Sequence, residues 1–228
     1  MAFLKLTLKE IKQKIWLAIG FYVIFAVFHK TSNGGIYMNE IMFFGYTMIT
    51  SALLWSGEDE KDFILISKMS LKNVFLVRFF VLYLALTLLP ALHVIIFGGL
   101  ILPLRDSLLI NLVSSLLMCS LGALVRTLAK NNVSALIFGA AVDSVLLSPQ
   151  VFLKLFGFSS ERANAIMDVI QSENLPLWPL WSVGYEGEAL LINRLCTFGY
   201  SAVVLIITYL LLLRQEKVKK LNKKEKKQ

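Results

Sequence analysis

Charge is scarce in this chain: 17% of its 228 residues are charged and 57% are apolar. That imbalance excludes an ordinary soluble protein. Histidine and cysteine are scarcer still, two of each, as His29, His93, Cys119 and Cys196. Both cysteines lie far apart inside apolar runs, which excludes a disulfide framework and a cysteine metal site, and no two histidines stand at metal-ligand spacing. With only five prolines and thirteen glycines, the chain is neither a low-complexity linker nor a fibrous repeat. No P-loop and no pairing of a serine with a lysine or histidine at one depth is present, and the GFSSE string at 157–161 has no strand before it to form a nucleophile elbow. The chain is therefore expected to be no enzyme and to hold no cofactor or metal of its own.

What it has in abundance is apolar runs. A membrane-crossing helix needs roughly 20 mostly apolar residues, with slack at its ends for snorkelling lysines. Six segments meet that description: Lys14 to His29, Ile41 to Gly57, Phe79 to Leu104, Ser107 to Val125, Asn131 to about Leu153 with Asp143 as its one charge, and Leu195 to Leu213. The alternation of a membrane β-barrel is missing. These features predict an all-α membrane protein of six transmembrane helices, forming one transmembrane domain over 1–228.

The few charges are unevenly placed. The segments 1–14, 57–78, 126–132 and 214–228 carry eighteen of the 23 basic residues. The remaining five are Lys30, Arg105, Lys154, Arg162 and Arg194. By the positive-inside rule both termini are cytosolic and the protein is a multi-pass component of a cell membrane. The tail at 214–228 holds eight basic residues and no aromatic group, which fits anionic lipid headgroups and not nucleic acid. Ile15 to Phe28 is not followed by a small-residue cleavage site, so it reads as a span and not as a signal peptide. Before it, Leu4, Leu8, Ile11 and Ile15 share an arc of about 60° and Lys5, Lys9 and Lys12 share another, which predicts an amphipathic helix over 1–14 lying in the inner interface.

Two connections are too long to be mere turns. The cytosolic one, 57–78, opens with Glu58, Asp59, Glu60 and Asp62 and turns apolar and basic. Acids suit a helix N-terminus, Phe63, Ile66 and Met69 recur on one face, and Ser70 is placed to cap a second helix leading into the third span. An apolar helical face between two spans is a docking surface. The external connection, 149–194, contains a helical stretch from Glu161 to Ser172 and the Pro/Trp-rich LPLWPLW, and predicts a folded cap. Inside the membrane, Asp143 is the most costly group. It shares a stripe of small residues with Ala135 and Gly139, where helices approach closely or a pathway passes. Thr47, Thr50 and Ser51, with Gly45, form a weaker polar face on the second span.

This order of elements resembles the type-2 ABC exporter permeases, small six-helix subunits that pair with a separate ATPase. SKMSLKNVFLVR at 67–78 is similar to the segment that follows the family's second span. GALVRTLAKNNVSALIFG at 122–139 is similar to its turn between the fourth and fifth spans. The resemblance implies a permease dimer, of two identical or paralogous copies, clamped by cytosolic ABC ATPase subunits that hold the ATP and magnesium. It implies an N-terminal elbow helix at 1–14, a cytosolic coupling helix that carries Glu58, Asp59, Phe63, Ile66, Met69 and Ser70 to the ATPase, a minor contact at Arg126 and Lys130, and a re-entrant segment in the external cap. The translocation path would then pass Thr47, Thr50, Ser51, Gly139 and Asp143. Small members of the family export amphipathic peptides such as toxins and antimicrobial peptides, and the lysine-rich tail is compatible with a bacterial membrane. Two alternatives share these features: an ion-coupled carrier and a membrane immunity or sensor protein that transports nothing.

Overall fold

The computed structural model describes residues 12, 15–16, 19–20, 22–23, 45–55, 64, 70–97, 103–129, 131–147, 153–170 and 187–225. Its regular elements among these residues are all helices: α1 (Tyr46–Leu53), α2 (Leu71–Phe97), α3 (Leu104–Leu128), α4 (Asn132–Leu147), α5 (Ser160–Ile170) and α6 (Gly187–Glu225).

Several helix boundaries follow from local chemistry. Asn131 caps α4: its Oδ1 accepts from the Ser134 amide at 2.8 Å, and the Ser134 hydroxyl reaches back to the Asn131 carbonyl at 3.0 Å, meeting donors that a helix start leaves open. Ser159 serves α5 in the same way, accepting the Arg162 amide at 3.3 Å. Just before it, Phe158 donates to the Leu153 carbonyl and Gly157 to that of Lys154, while Gly157 has a φ of 84°. This is a Schellman closure, whose left-handed position suits glycine. Ser70 stands where a cap is expected, and its carbonyl accepts the Asn73 and Val74 amides. Its hydroxyl makes no hydrogen bond among the described residues.

The helix α3 is the axis of the bundle, with α1, α2, α4 and α6 all packed on it. It can be central because its buried face is built from small groups: Ser107, Asn111, Ser114, Ser115, Cys119, Gly122 and Ala123 recur at three- and four-residue spacing. Small residues let backbones close up where the surrounding solvent is lipid. The exposed residues are the large apolar ones. Phe80, Leu84, Leu88 and Leu92 form an outward row on α2, and Leu191, Leu195, Phe198, Ile206 and Leu210 face out on α6. Arg78, Arg126, Asp143 and Arg194 are meanwhile each 4% exposed or less. A water-soluble fold has the opposite arrangement, and this one suits hydrocarbon.

Among the described residues, three helices are long and apolar enough to cross a membrane: α2 through Leu71–Leu88, α3 over its whole length, and α6 through Gly187–Val218. The expected spans change accordingly. The third starts at Leu71, because the helix after Ser70 and the span are one continuous helix. The sixth begins at Gly187, inside the stretch assigned to the external cap, and continues through the basic tail to Glu225. The fifth is a helix of 16 residues, about 24 Å long at 1.5 Å per residue. Of the second, residues 45–55 are described: Tyr46–Leu53 is a helix of eight residues that starts after Gly45, whose φ is 91°. The elbow helix, apart from Lys12, and ten of the sixteen residues expected in the first span fall outside the described residues. Within the stretch expected to form the cap, α5 covers Ser160–Ile170, and residues 171–172 lie outside the described residues.

Candidate functional site

The helix α1 has three threonine or serine side chains on its buried side, Thr47, Thr50 and Ser51, each 0% exposed. Its partners are α3 and α4. Close approach comes from their glycines. A Cβ on Gly122 would lie 2.5 Å from the Thr47 carbonyl oxygen and 2.8 Å from Thr50 Cβ, and one on Gly139 would lie 3.1 Å from Ser51 Oγ. At that range hydroxyls bond directly to neighbouring backbones. Thr47 donates to the Met118 carbonyl at 3.2 Å. The Ser51 hydroxyl lies 2.8 Å from the carbonyl of Met48 on its own helix and 3.2 Å from that of Ala135 on α4.

Asp143 closes this seam at the start of α1. Gly45 is the N-cap and has no side chain to cap with. Its amide donates instead to Asp143 Oδ2 at 3.2 Å, across 98 residues of sequence. A carboxylate there meets an open backbone donor and the positive end of the helix dipole together. That gives a physical reason for a charge within an apolar helix: irregular backbone at membrane depth must be satisfied by protein. Asp143 is also met by the Thr47 hydroxyl and the Met48 amide, and the Cys119 thiol lies close to Asp143 and to the Thr50 hydroxyl. Thr47, Thr50, Ser51, Gly139 and Asp143, picked out by the sequence as separate polar features, thus meet in one buried seam.

At its other end α1 meets two arginines. Arg78 of α2 donates through Nη1 to the Leu54 carbonyl at 3.2 Å, with its guanidinium 5.4 Å from the Trp55 ring centroid. Arg126 of α3 donates through Nε to the Trp55 carbonyl at 3.3 Å. Arg126, which the resemblance made a minor contact for an ATPase, is 0% exposed and ties α3 to the end of α1. Of the other residues expected to couple, Ser70 precedes α2, while Glu58, Asp59, Phe63, Ile66, Met69 and Lys130 lie outside the described residues.

Two polar ties were not anticipated. Pro90 cannot give Leu86 its helical hydrogen bond, and the Tyr46 hydroxyl supplies one to the Leu86 carbonyl at 3.0 Å. Neighbouring side chains commonly repair a proline within a membrane helix in this way. Arg194, counted from the sequence as an external loop charge, is 1% exposed and donates to Ser114 of α3 at 2.7 Å and to Asn193 beside it. The sequence signal for the first was Pro90 itself. The second was hidden by starting the last span at Leu195.

Beyond the seam, an apolar groove of about 650 Å³ runs between α3 and α4, lined by Leu121, Val125, Leu128, Phe138 and Val142 among others. No group of three or more histidine, cysteine or acidic side chains that could hold a metal occurs among the described residues. No family model, no curated protein and no solved structure matches the chain. The class the architecture defines is a helical membrane protein.

Proposed function

We propose that the chain is the transmembrane permease subunit of an ATP-driven exporter, working as a dimer with a separate cytosolic ATPase on an amphipathic, cationic substrate such as a peptide. The observation that carries this reading is the convergence of Thr47, Thr50, Ser51, Gly139 and Asp143 from two elements onto one polar seam. The family resemblance assigned those residues to the path without knowledge of their contacts. In the packed state the seam is closed, as a pathway is between transport events, and Asp143 would attract a cationic substrate once α1 moves. Both termini and the 57–78 connection lie on the ATPase side in this reading.

A second reading, an ion-coupled carrier, is favoured by the helix that starts at Gly45 with a carboxylate at its N-terminus, because interrupted helices are a recurrent way to build ion sites in carriers. One experiment separates the two. The chain, purified with any ATP-binding subunit that accompanies it, is reconstituted in vesicles and ATP hydrolysis is followed as cationic amphipathic peptides are added. Stimulation that Asp143→Asn weakens supports the exporter. Uptake driven by a proton or sodium gradient, by the chain alone, supports the carrier. Neither response, from a well-folded preparation, supports the membrane protein that transports nothing.

A further inference from the structure

The contacts of α1 have an order that the polar seam alone does not require. A helix dipole places roughly half a positive charge at its N-terminus and half a negative charge at its C-terminus. In α1 the first meets Asp143, supplied by α4, and the second meets Arg78 and Arg126, supplied by α2 and α3. All three are buried, so water screens these contacts little. An eight-residue helix is too short to be stable alone. Tyr46, Leu54 and Trp55 at its two ends are buried in the apolar core, but between them its buried side is hydroxyl: Thr47, Thr50 and Ser51. Thr47 and Ser51 add one backbone contact each to α3 and α4.

We infer that α1 is an electrostatically locked switch helix, held in the seam by opposite charges at its two ends and released from it as a unit when either end loses its counter-charge. The lock also links distant parts of the chain. Leu54 and Trp55, which the arginines grip, lead directly into the 57–78 connection, so a pull on that connection acts on the C-terminal lock. Release would uncover Asp143 and Cys119 together. The lock needs no ATPase and no substrate, and it can be tested on the chain by itself.

Cys119 is a built-in reporter, since it is 0% exposed and lies beside Thr50. In a Cys196→Ser background it is the chain's single thiol. The full-length protein in detergent is treated with a small maleimide, and the labelling rate measures how often the seam opens. Asp143→Asn and Arg126→Gln should each raise that rate about fivefold or more, and together further, because each removes one end charge. Arg126→Lys keeps the charge and should stay within about twofold of the parent. Gly199→Ala on α6, where an added methyl group meets nothing within 4 Å, should leave the rate unchanged. Rates in Asp143→Asn and Arg126→Gln equal to the parent's overturn the lock, as does an equal rise in Gly199→Ala or Arg126→Lys. If a charge variant does not fold, hydrogen exchange on the unaltered protein decides. The α1 amides should exchange as one group and faster than those of α3, and protection equal to that of α3 overturns the proposal.

Discussion

Gly122 and Gly199 are both helical glycines, yet the same change should have opposite results. A methyl group on Gly122 would meet the Thr47 carbonyl at 2.5 Å, whereas one on Gly199 would meet nothing within 4 Å. Gly122→Ala should therefore force α1 off α3 and cost about 1 to 3 kcal/mol. Gly199→Ala should be neutral or stabilise by up to about 1 kcal/mol, since it only removes a poor helix former. Thermal unfolding in detergent separates them, and equal shifts would mean that α1 does not sit against Gly122. Tyr46 offers a second test of the same kind. Tyr46→Phe leaves the Leu86 carbonyl without its donor and should cost about 1 to 3 kcal/mol. In a Pro90→Ala background the helix regains its own N–H donor, so most of that cost should vanish. A cost unchanged by Pro90→Ala would show that the tyrosine packs and does not repair.

At the scale of elements, the tail continues the last helix as far as Glu225. Gln215 donates to the Thr127 carbonyl at 3.1 Å, one of the last carbonyls of α3, which a helix end leaves open. Glu216 is 8% exposed, so the first turn of the basic segment packs on the bundle. A chain ended after Arg214 should unfold at a lower temperature than one ended after Val218, and Gln215→Ala alone should account for about 1 kcal/mol of the difference. If both truncations melt alike, the contact contributes nothing. The sequence placed the fourth span at Ser107 to Val125, inside α3 (Leu104–Leu128) at both ends. It placed a helix after Ser70 leading into the third span, as α2 does, but started the sixth span late, because an apolar count cannot see a helix continue into charged or polar turns. Lys72, Arg78 and Glu188 each remain on a helix whose axis neighbouring residues already define.

For the whole molecule, the placement of basic residues predicts one orientation. Arg78, Arg126 and Arg194 are buried and leave the tally of loop charges, two from the basic side and one from the other, so the asymmetry stands. With the native cysteines replaced, single cysteines at Asn73 and Gln228 should be shielded from an impermeant thiol reagent in intact cells, and one at Ser172 should react. Labelling at Gln228 would reverse the orientation, and with it the side on which an ATPase could dock.

Composition and hydropathy by themselves determined that this is a helical membrane protein, since no soluble core could absorb so much apolar surface and lipid leaves few ways to satisfy a backbone. They also picked out Asp143 and the hydroxyls of Thr47, Thr50 and Ser51, because polar groups are costly in hydrocarbon wherever they sit. Which of those groups touch was decided by tertiary structure alone. The Gly45 to Asp143 bond spans 98 residues and the Arg126 to Trp55 bond 71, and no local periodicity encodes such a pairing. The roles of Arg78, Arg126 and Arg194 were hidden for the same reason. An arginine at the edge of an apolar run reads as a loop charge until a neighbouring helix presents a carbonyl or hydroxyl to it. The packing of α1 against Gly122 and Gly139 turned scattered polar residues into one seam with a charge at each end.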